Sequence, residues 1–139
     1  GADLYRFNNK KNNFEVLDFK IKNKNLQYLT RSIFEDREGN IWIGFYNAGL
    51  HKYNPVTNTV ESFRHIHLRP DGKQPYPILT IYEDQNGILW IGTDGGGLIR
   101  FNPVKQVYNR FGYNRGKKHN IGSPRVNDIT EDIDISINS

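Results

Sequence analysis

The sequence has 139 residues, a length typical of one domain, and its 24% charged and 13% aromatic content supplies a packed core rather than a disordered chain. The absence of cysteine excludes disulfides, thiol nucleophiles and thiolate metal sites, and no apolar run is long enough to span a bilayer. The net charge of +4 is split between basic clusters at 10–24 and 105–118 and an acidic segment at 128–134, which argues against the single basic stripe of a nucleic-acid binder.

An internal repeat organises the chain. The opening segment GADLYRFN (1–8) matches NAGLHKYN (47–54) and GGGLIRFN (95–102), so residues 1–22 are expected to form the second half of a unit. A full unit is expected over 25–67, another over 76–111, and the start of a further one over 124–139. Residues 32–63 align without gaps on 80–111 at an offset of 48 and are identical at thirteen positions. The identities include Glu35/Glu83, Asp36/Asp84, Gly39/Gly87, Trp42/Trp90, Gly44/Gly92, Asn54/Asn102, Pro55/Pro103 and Phe63/Phe111. The chain begins at Gly1 and contains no methionine, as expected of a processed product or an excised piece.

Each unit reads as four short strands. A β-prone segment reaches Asp36 or Asp84, and Asp-x-x-Gly supplies turn chemistry, with Gly39 and Gly87 suited to positive φ. IWIGF or LWIGT follows, apolar on both alternating faces as in a strand covered on both sides. After a turn at YNAG or DGGG comes a third strand, closed by Asn-Pro, and a fourth runs to Phe63 or Phe111. No stretch carries a sustained helical period with caps. Four antiparallel strands per unit of this length is the pattern of a β-propeller blade.

The shared pattern I-x-E-D-x-x-G-x-[IL]-W-I-G-x-x-x-x-G-L-x-[KR]-[YF]-N-P resembles the two-component regulator propeller repeat, found in periplasmic sensor regions of bacterial hybrid histidine kinases. The resemblance implies an all-β fold of four-stranded antiparallel propeller blades. It comprises about three blade-equivalents, two complete and the third split between the ends. Asp36, Gly39, Trp42, Gly44, Asp84, Gly87, Trp90 and Gly92 become structural motif positions. The third copy departs from the pattern, with Ile135 where glycine is expected and Asn138 where tryptophan is expected.

In such a blade successive turns alternate between two rims. Asp36–Gly39, Asp84–Gly87 and the turns after Asn54-Pro55 and Asn102-Pro103 fall on one, the bottom. The turns Tyr46–Ala48 and Asp94–Gly96, with the connections Arg64–Pro77 and Gly112–Pro124, fall on the other, the top. The top segments differ between units, and function concentrates on such loops. Candidate ligand-binding residues are therefore Tyr46, Asn47, His65, His67, Arg69, Tyr76, Asp94, Tyr113, Arg115 and His119, whose aromatic, cationic and amide groups suit an oligosaccharide or a protein contact. Ordinary solvated loop decoration is the competing reading.

Other motifs weigh toward structure. Trp42 and Trp90 have rings that suit sugar stacking, but their mid-strand position favours packing between blades. Glu35, Glu83 and Glu131 could ring an axial cation, though capping of the turn by Glu-Asp is the simpler account. Asp94-Gly95-Gly96-Gly97 offers backbone N–H groups to a phosphate but lacks a following helix, so a tight turn is expected. His65 and His67 share a face if extended, without an evident third metal ligand. No metal, cofactor or catalytic residue is assigned.

The leading expectation is a non-catalytic periplasmic module of a hybrid two-component sensor that responds to a glycan-derived ligand, with kinase chemistry elsewhere in the parent. Two rivals are a structural or oligomerisation module and a propeller-based lyase or glycosidase. Because about three units fall short of the 4–8 blades of a closed propeller, self-association, as in a dimer, is also expected.

Overall fold

The computed structural model describes residues 4–8, 10–17, 29–72, 74–112, 125–126 and 128–129. Strands Leu4–Asn8 (β1) and Asn13–Leu17 (β2) form an antiparallel hairpin. Thr30–Glu35 (β3), Ile41–Phe45 (β4), Gly49–Asn54 (β5) and Thr59–Ser62 (β6) make a four-stranded antiparallel sheet in sequential order. Ile78–Glu83 (β7), Leu89–Thr93 (β8), Leu98–Asn102 (β9) and Val107–Phe111 (β10) make a second of the same topology. The expected all-β blades are therefore present, and one 3-10 turn at Arg64–His67 is the described helical element. Of the third unit, only Arg125, Val126, Asp128 and Ile129 lie within the described residues.

The repeat in sequence is a repeat in hydrogen bonds. Asp36 Oδ1 accepts from the Glu38 and Asn40 amides (3.0 and 2.9 Å), and its Oδ2 accepts from Trp42 Nε1 (2.8 Å). Asp84 does the same with the Asn86 and Ile88 amides (2.8 and 3.0 Å) and Trp90 Nε1 (2.9 Å). One carboxylate thus closes the first turn and fixes the indole six residues on, while Gly39 and Gly87 take the positive φ (83° and 76°) that the turn requires. Asn54 and Asn102 organise the third turn by accepting amide hydrogens from Val56 and Thr57, and from Val104 and Lys105. A left-handed residue sits at the same place in all three such turns, at Asn12, Asn58 and Gln106 (φ 52°, 54° and 55°). The β1–β2 hairpin accordingly has the turn geometry of the last two strands of a unit.

Every residue of β4 and β8 is buried, because each sheet is covered on both faces. Alternation puts Trp42 and Gly44 on the face of the first blade turned toward the second, which meets it with Ile78, Ile81, Leu89, Ile91, Ile99 and Phe101. Phe63 folds over this seam, 5.3 Å from both the Trp42 and the Phe101 ring centroids. Trp90 lies on the matching face of the second blade, stacked on Phe111 at 6.2 Å and packed with Leu98, Val126 and Ile129. Val126 and Ile129 are the counterparts, one offset on, of Ile78 and Ile81. The third unit thus begins in the place that a next blade would occupy. The two tryptophans serve packing, as their mid-strand position indicated. The basic residue of the pattern lies opposite each ring, with Lys52 at 5.5 Å from Trp42 and Arg100 at 5.9 Å from Trp90.

The Glu-Asp pair divides its labour. Asp caps its own turn, whereas Glu83 caps the turn of the preceding blade, accepting the Arg37 amide (3.1 Å) beside an Arg37 ion pair (3.5 Å). Arg37 also donates through Nη1 to the Gln85 carbonyl (2.9 Å), so the first turns of adjacent blades are tied together at the bottom rim. Glu131 lies outside the described residues, so an axial ring of three carboxylates finds no expression in the described pair.

Gly44 and Gly92 are needed because the next blade leaves no room for a side chain. A methyl group at Gly44 would collide with Ile78 and Ser32, and one at Gly92 would lie 2.5 Å from the Val126 carbonyl oxygen. Gly92→Ala should therefore lower the melting temperature more than Gly44→Ala, where the obstacles are side chains that can shift, and Gly112→Ala, which meets nothing within 4 Å, should leave it unchanged. Differential scanning fluorimetry orders the three. Asp84→Ala removes three hydrogen bonds from one carboxylate and is expected to cost about 2–4 kcal/mol, read as a lowered urea midpoint by tryptophan fluorescence.

Candidate functional site

The top rim is assembled from the β4–β5 turn, the β8–β9 turn and the connection between blades. In each unit the rim turn is anchored to the strand entry of its own blade. The Tyr46 amide donates to the Leu29 carbonyl (2.8 Å) and the Asp94 amide to the Pro77 carbonyl (2.9 Å). Asn47 adds a side-chain acceptor for the Leu29 amide (3.1 Å), while Tyr46 projects half-exposed from the first blade. In the second blade the tight turn expected at Asp94–Gly97 is present. Buried Thr93 Oγ1 donates to the Gly97 carbonyl (2.8 Å) and accepts the Gly96 amide (3.0 Å).

The described residues of the connection between the blades form structure of their own. After the 3-10 turn it forms a small hairpin in which Leu68 pairs with Pro75 and the Arg69 amide donates to the Gln74 carbonyl (2.9 Å). The backbone at Arg64–His67 is a 3-10 turn, so the extended conformation on which a shared His65–His67 face depended is not the one adopted. His65 instead lies near Phe63 and Tyr108, with ring centroids 6.4 Å from each. The His67 side chain, and Tyr113, Arg115 and His119, lie outside the described residues.

Three side chains converge where this connection meets the second blade. The Arg69 guanidinium sits 5.0 Å from the Tyr76 ring centroid and that of Arg110 sits 5.5 Å from it. Arg110 Nη2 also donates to the carbonyls of Ile66 (3.2 Å) and Leu68 (3.4 Å), which pins the connection to β10. Tyr76 lies against the glycine turn so closely that a side chain at Gly96 would reach 2.5 Å from its ring. Asp94, at the start of that turn, pairs with Arg125 at 3.0 Å. Of the candidates, then, Arg69, Tyr76 and the Asp94 turn are brought together, whereas Tyr46 and Asn47 belong to the first blade's own turn and His65 to the Phe63–Tyr108 side.

Sequence reasoning missed Arg110 and Arg125. Arg110 lies inside the repeat, where a residue reads as scaffold. Its signal is divergence at an aligned position, since the first unit has Ser62 there. Arg125 is the counterpart of Pro77 and carries no comparable signal.

The described titratable group whose acidity is moved lies just below the β4–β5 turn of the first blade. His51 is 6% exposed in β5, edge-on to Phe45 at 5.1 Å. Burial pushes its pKa below 6.5, and a hydrogen bond involving the Gly49 backbone opposes that only in part. Below pH 6.5 the unfolded chain takes up a proton that the folded chain resists, so stability present above that pH is lost as pH falls toward the lower folded value. Melting temperature should accordingly fall between pH 7.5 and 5.5, and His51→Leu should flatten that slope.

The model of the family described as "Two component regulator propeller" matches residues 25–47 and 72–95, one match in each blade around the Asp–Trp turn. Among solved structures, the extracellular domain assigned to a one component system of B. thetaiotaomicron aligns over 78% of this chain and 14% of its own, with 22% identity and a TM-score of 0.61. The extracellular domain assigned to a hybrid two component system of the same organism aligns over 73% of this chain and 12% of its own, with 22% identity and a TM-score of 0.54. This chain therefore spans about one seventh or less of the chains it resembles, and at that identity the likeness is one of fold. No curated protein gives a significant match.

Proposed function

Because the two-component regulator propeller model matches residues 25–47 and 72–95, we propose that this chain belongs to that family and is part of a ligand-sensing propeller of a hybrid two-component regulator, held outside the cytoplasm in the periplasm. Its ligand is glycan-derived and is taken at the top rim, and the bound state is passed to a kinase elsewhere in the parent protein. The observation that carries this reading is the division of the repeat. The bottom turns keep the same hydrogen bonds in both blades, while the top rim holds different side chains in each. Solved relatives described as extracellular domains of one and two component systems support the location and the sensing role.

A non-catalytic role is supported by the commitments of the repeated carboxylates. Asp36 and Asp84 are engaged by turn amides and indoles, and Glu83 by Arg37, so these groups serve as hydrogen-bond acceptors of the scaffold. Calorimetry of the chain against a panel of oligosaccharides tests the sensing role. Heat of binding at or below millimolar concentration from some members, without turnover of the sugar, is expected; silence across the panel, or hydrolysis or elimination of a glycosidic bond, contradicts it.

One observation also favours self-association. In the second blade Leu79 and Ile81 on the innermost strand are buried at 8% exposure, whereas their first-blade counterparts, Arg31 and Ile33, are exposed, Ile33 to 51%. An exposed inner strand of this kind is completed by another blade, and a second copy supplies one. Light scattering should give a mass rising with concentration toward twice 16.2 kDa. A concentration-independent monomer would remove this part of the proposal.

A further inference from the structure

We infer that Arg69 and Arg110, spaced by Tyr76, form an anion subsite at the top rim that takes a carboxylate or sulfate group of an acidic saccharide. The inference rests on the top rim being the glycan-binding face and adds the chemical class of the ligand. Two guanidinium groups are held against one aromatic ring, at 5.0 and 5.5 Å from its centroid. Neither forms an ion pair with a carboxylate among the described residues, and the Arg69 guanidinium has no hydrogen-bond partner there. The nearby carboxylate of Asp94 is already engaged by Arg125. Two adjacent like charges with no carboxylate paired to either among the described residues generate a positive potential, and the planar fork of arginine matches the oxygens of a carboxylate or sulfate.

The surroundings hold these groups in place. Arg110 is tethered through Nη2 to two carbonyls of the connection, which leaves its other N–H donors for a ligand. Arg69 stands at the base of the Leu68–Pro75 hairpin, whose backbone hydrogen bonds set its Cα. Tyr76 cannot be a stacking platform for a sugar while the glycine turn and a guanidinium lie against it. It acts instead as the spacer that keeps the two cations apart and oriented. The glycines at 95 and 96 place no side chain over the rim beside it, so an extended ligand has room to lie across the turn.

The test titrates the full 139-residue chain, at low salt, with a uronate oligosaccharide, a sulfated oligosaccharide and a neutral oligosaccharide of similar length. Inorganic sulfate is added in a parallel heteronuclear NMR titration. At least one acidic saccharide should bind about tenfold or more tighter than the neutral one, and rising salt should erode that difference. The uronate and sulfate arms identify which anion the subsite prefers. Arg69→Gln should abolish the preference while changing the melting temperature little, since the exposed side chain carries only its ring contact and no hydrogen bond in the fold, and Arg69→Lys should restore part of it. Sulfate that shifts the Arg69 and Tyr76 signals while no saccharide binds upholds the anion subsite and removes the glycan reading of the rim. Neutral saccharides that bind as well as acidic ones, with Arg69→Gln indifferent, uphold the glycan reading and overturn the subsite. Silence in all arms overturns both.

Discussion

The hydrogen bond from a buried indole to an aspartate six residues earlier is the constraint on which each unit depends. A half-buried carboxylate must be compensated by donors, and two turn amides with Trp Nε1–H supply them in both blades. The arrangement fixes the bottom turn, the register of the first two strands and the direction of the largest side chain in the sheet. Once the indole is set, the basic residue of the third strand lies over it, the phenylalanine at the end of the fourth strand or just after it closes on it, and the glycine two residues on admits the neighbouring blade. The blade interface is thereby specified by residues within a single unit, as a stacked repeat requires.

Adjacent blades are then coupled by a second, weaker device. Glu83 and the Gln85 carbonyl receive the amide and guanidinium of Arg37 from the preceding turn. Exposed ion pairs contribute little by themselves, so the seam is held chiefly by its apolar packing, with Trp42, Leu50, Ile78, Leu89, Ile91, Ile99 and Phe101 almost fully excluded from water. The Arg37 contacts serve register rather than strength.

The fold was legible because it is written in period and in chemistry that acts locally. The offset of 48, the fully apolar second strand and the Asp-x-x-Gly turn each have one structural solution. The Glu-Asp pair was read too locally. Its glutamate acts across the blade seam on Arg37, a partner 46 residues away that no turn rule contains. The rim was legible in part for the same reason. Its turns could be placed by strand alternation, but the meeting of Arg69, Tyr76 and Arg110 depends on how a hairpin of the connection lies against β10. The extended backbone on which a shared His65–His67 face depended is replaced by a 3-10 turn, within which Ile66 is buried beside Phe63 and Phe101.

Repeating the bottom and varying the top lets one scaffold present different chemistry on each blade, and here a pair of arginines meets where the connection lies against the second. All of this presupposes that the Asp–Trp bond is a fixed element of the native state rather than a transient contact. Hydrogen exchange of the Trp42 and Trp90 Nε1–H groups, followed by NMR alongside the Asn40 and Ile88 amides, measures that directly. Both indoles and both amides should exchange only through global unfolding, with a common dependence on denaturant. Indole protons that exchange rapidly, ahead of the core amides of β4 and β8, would contradict it.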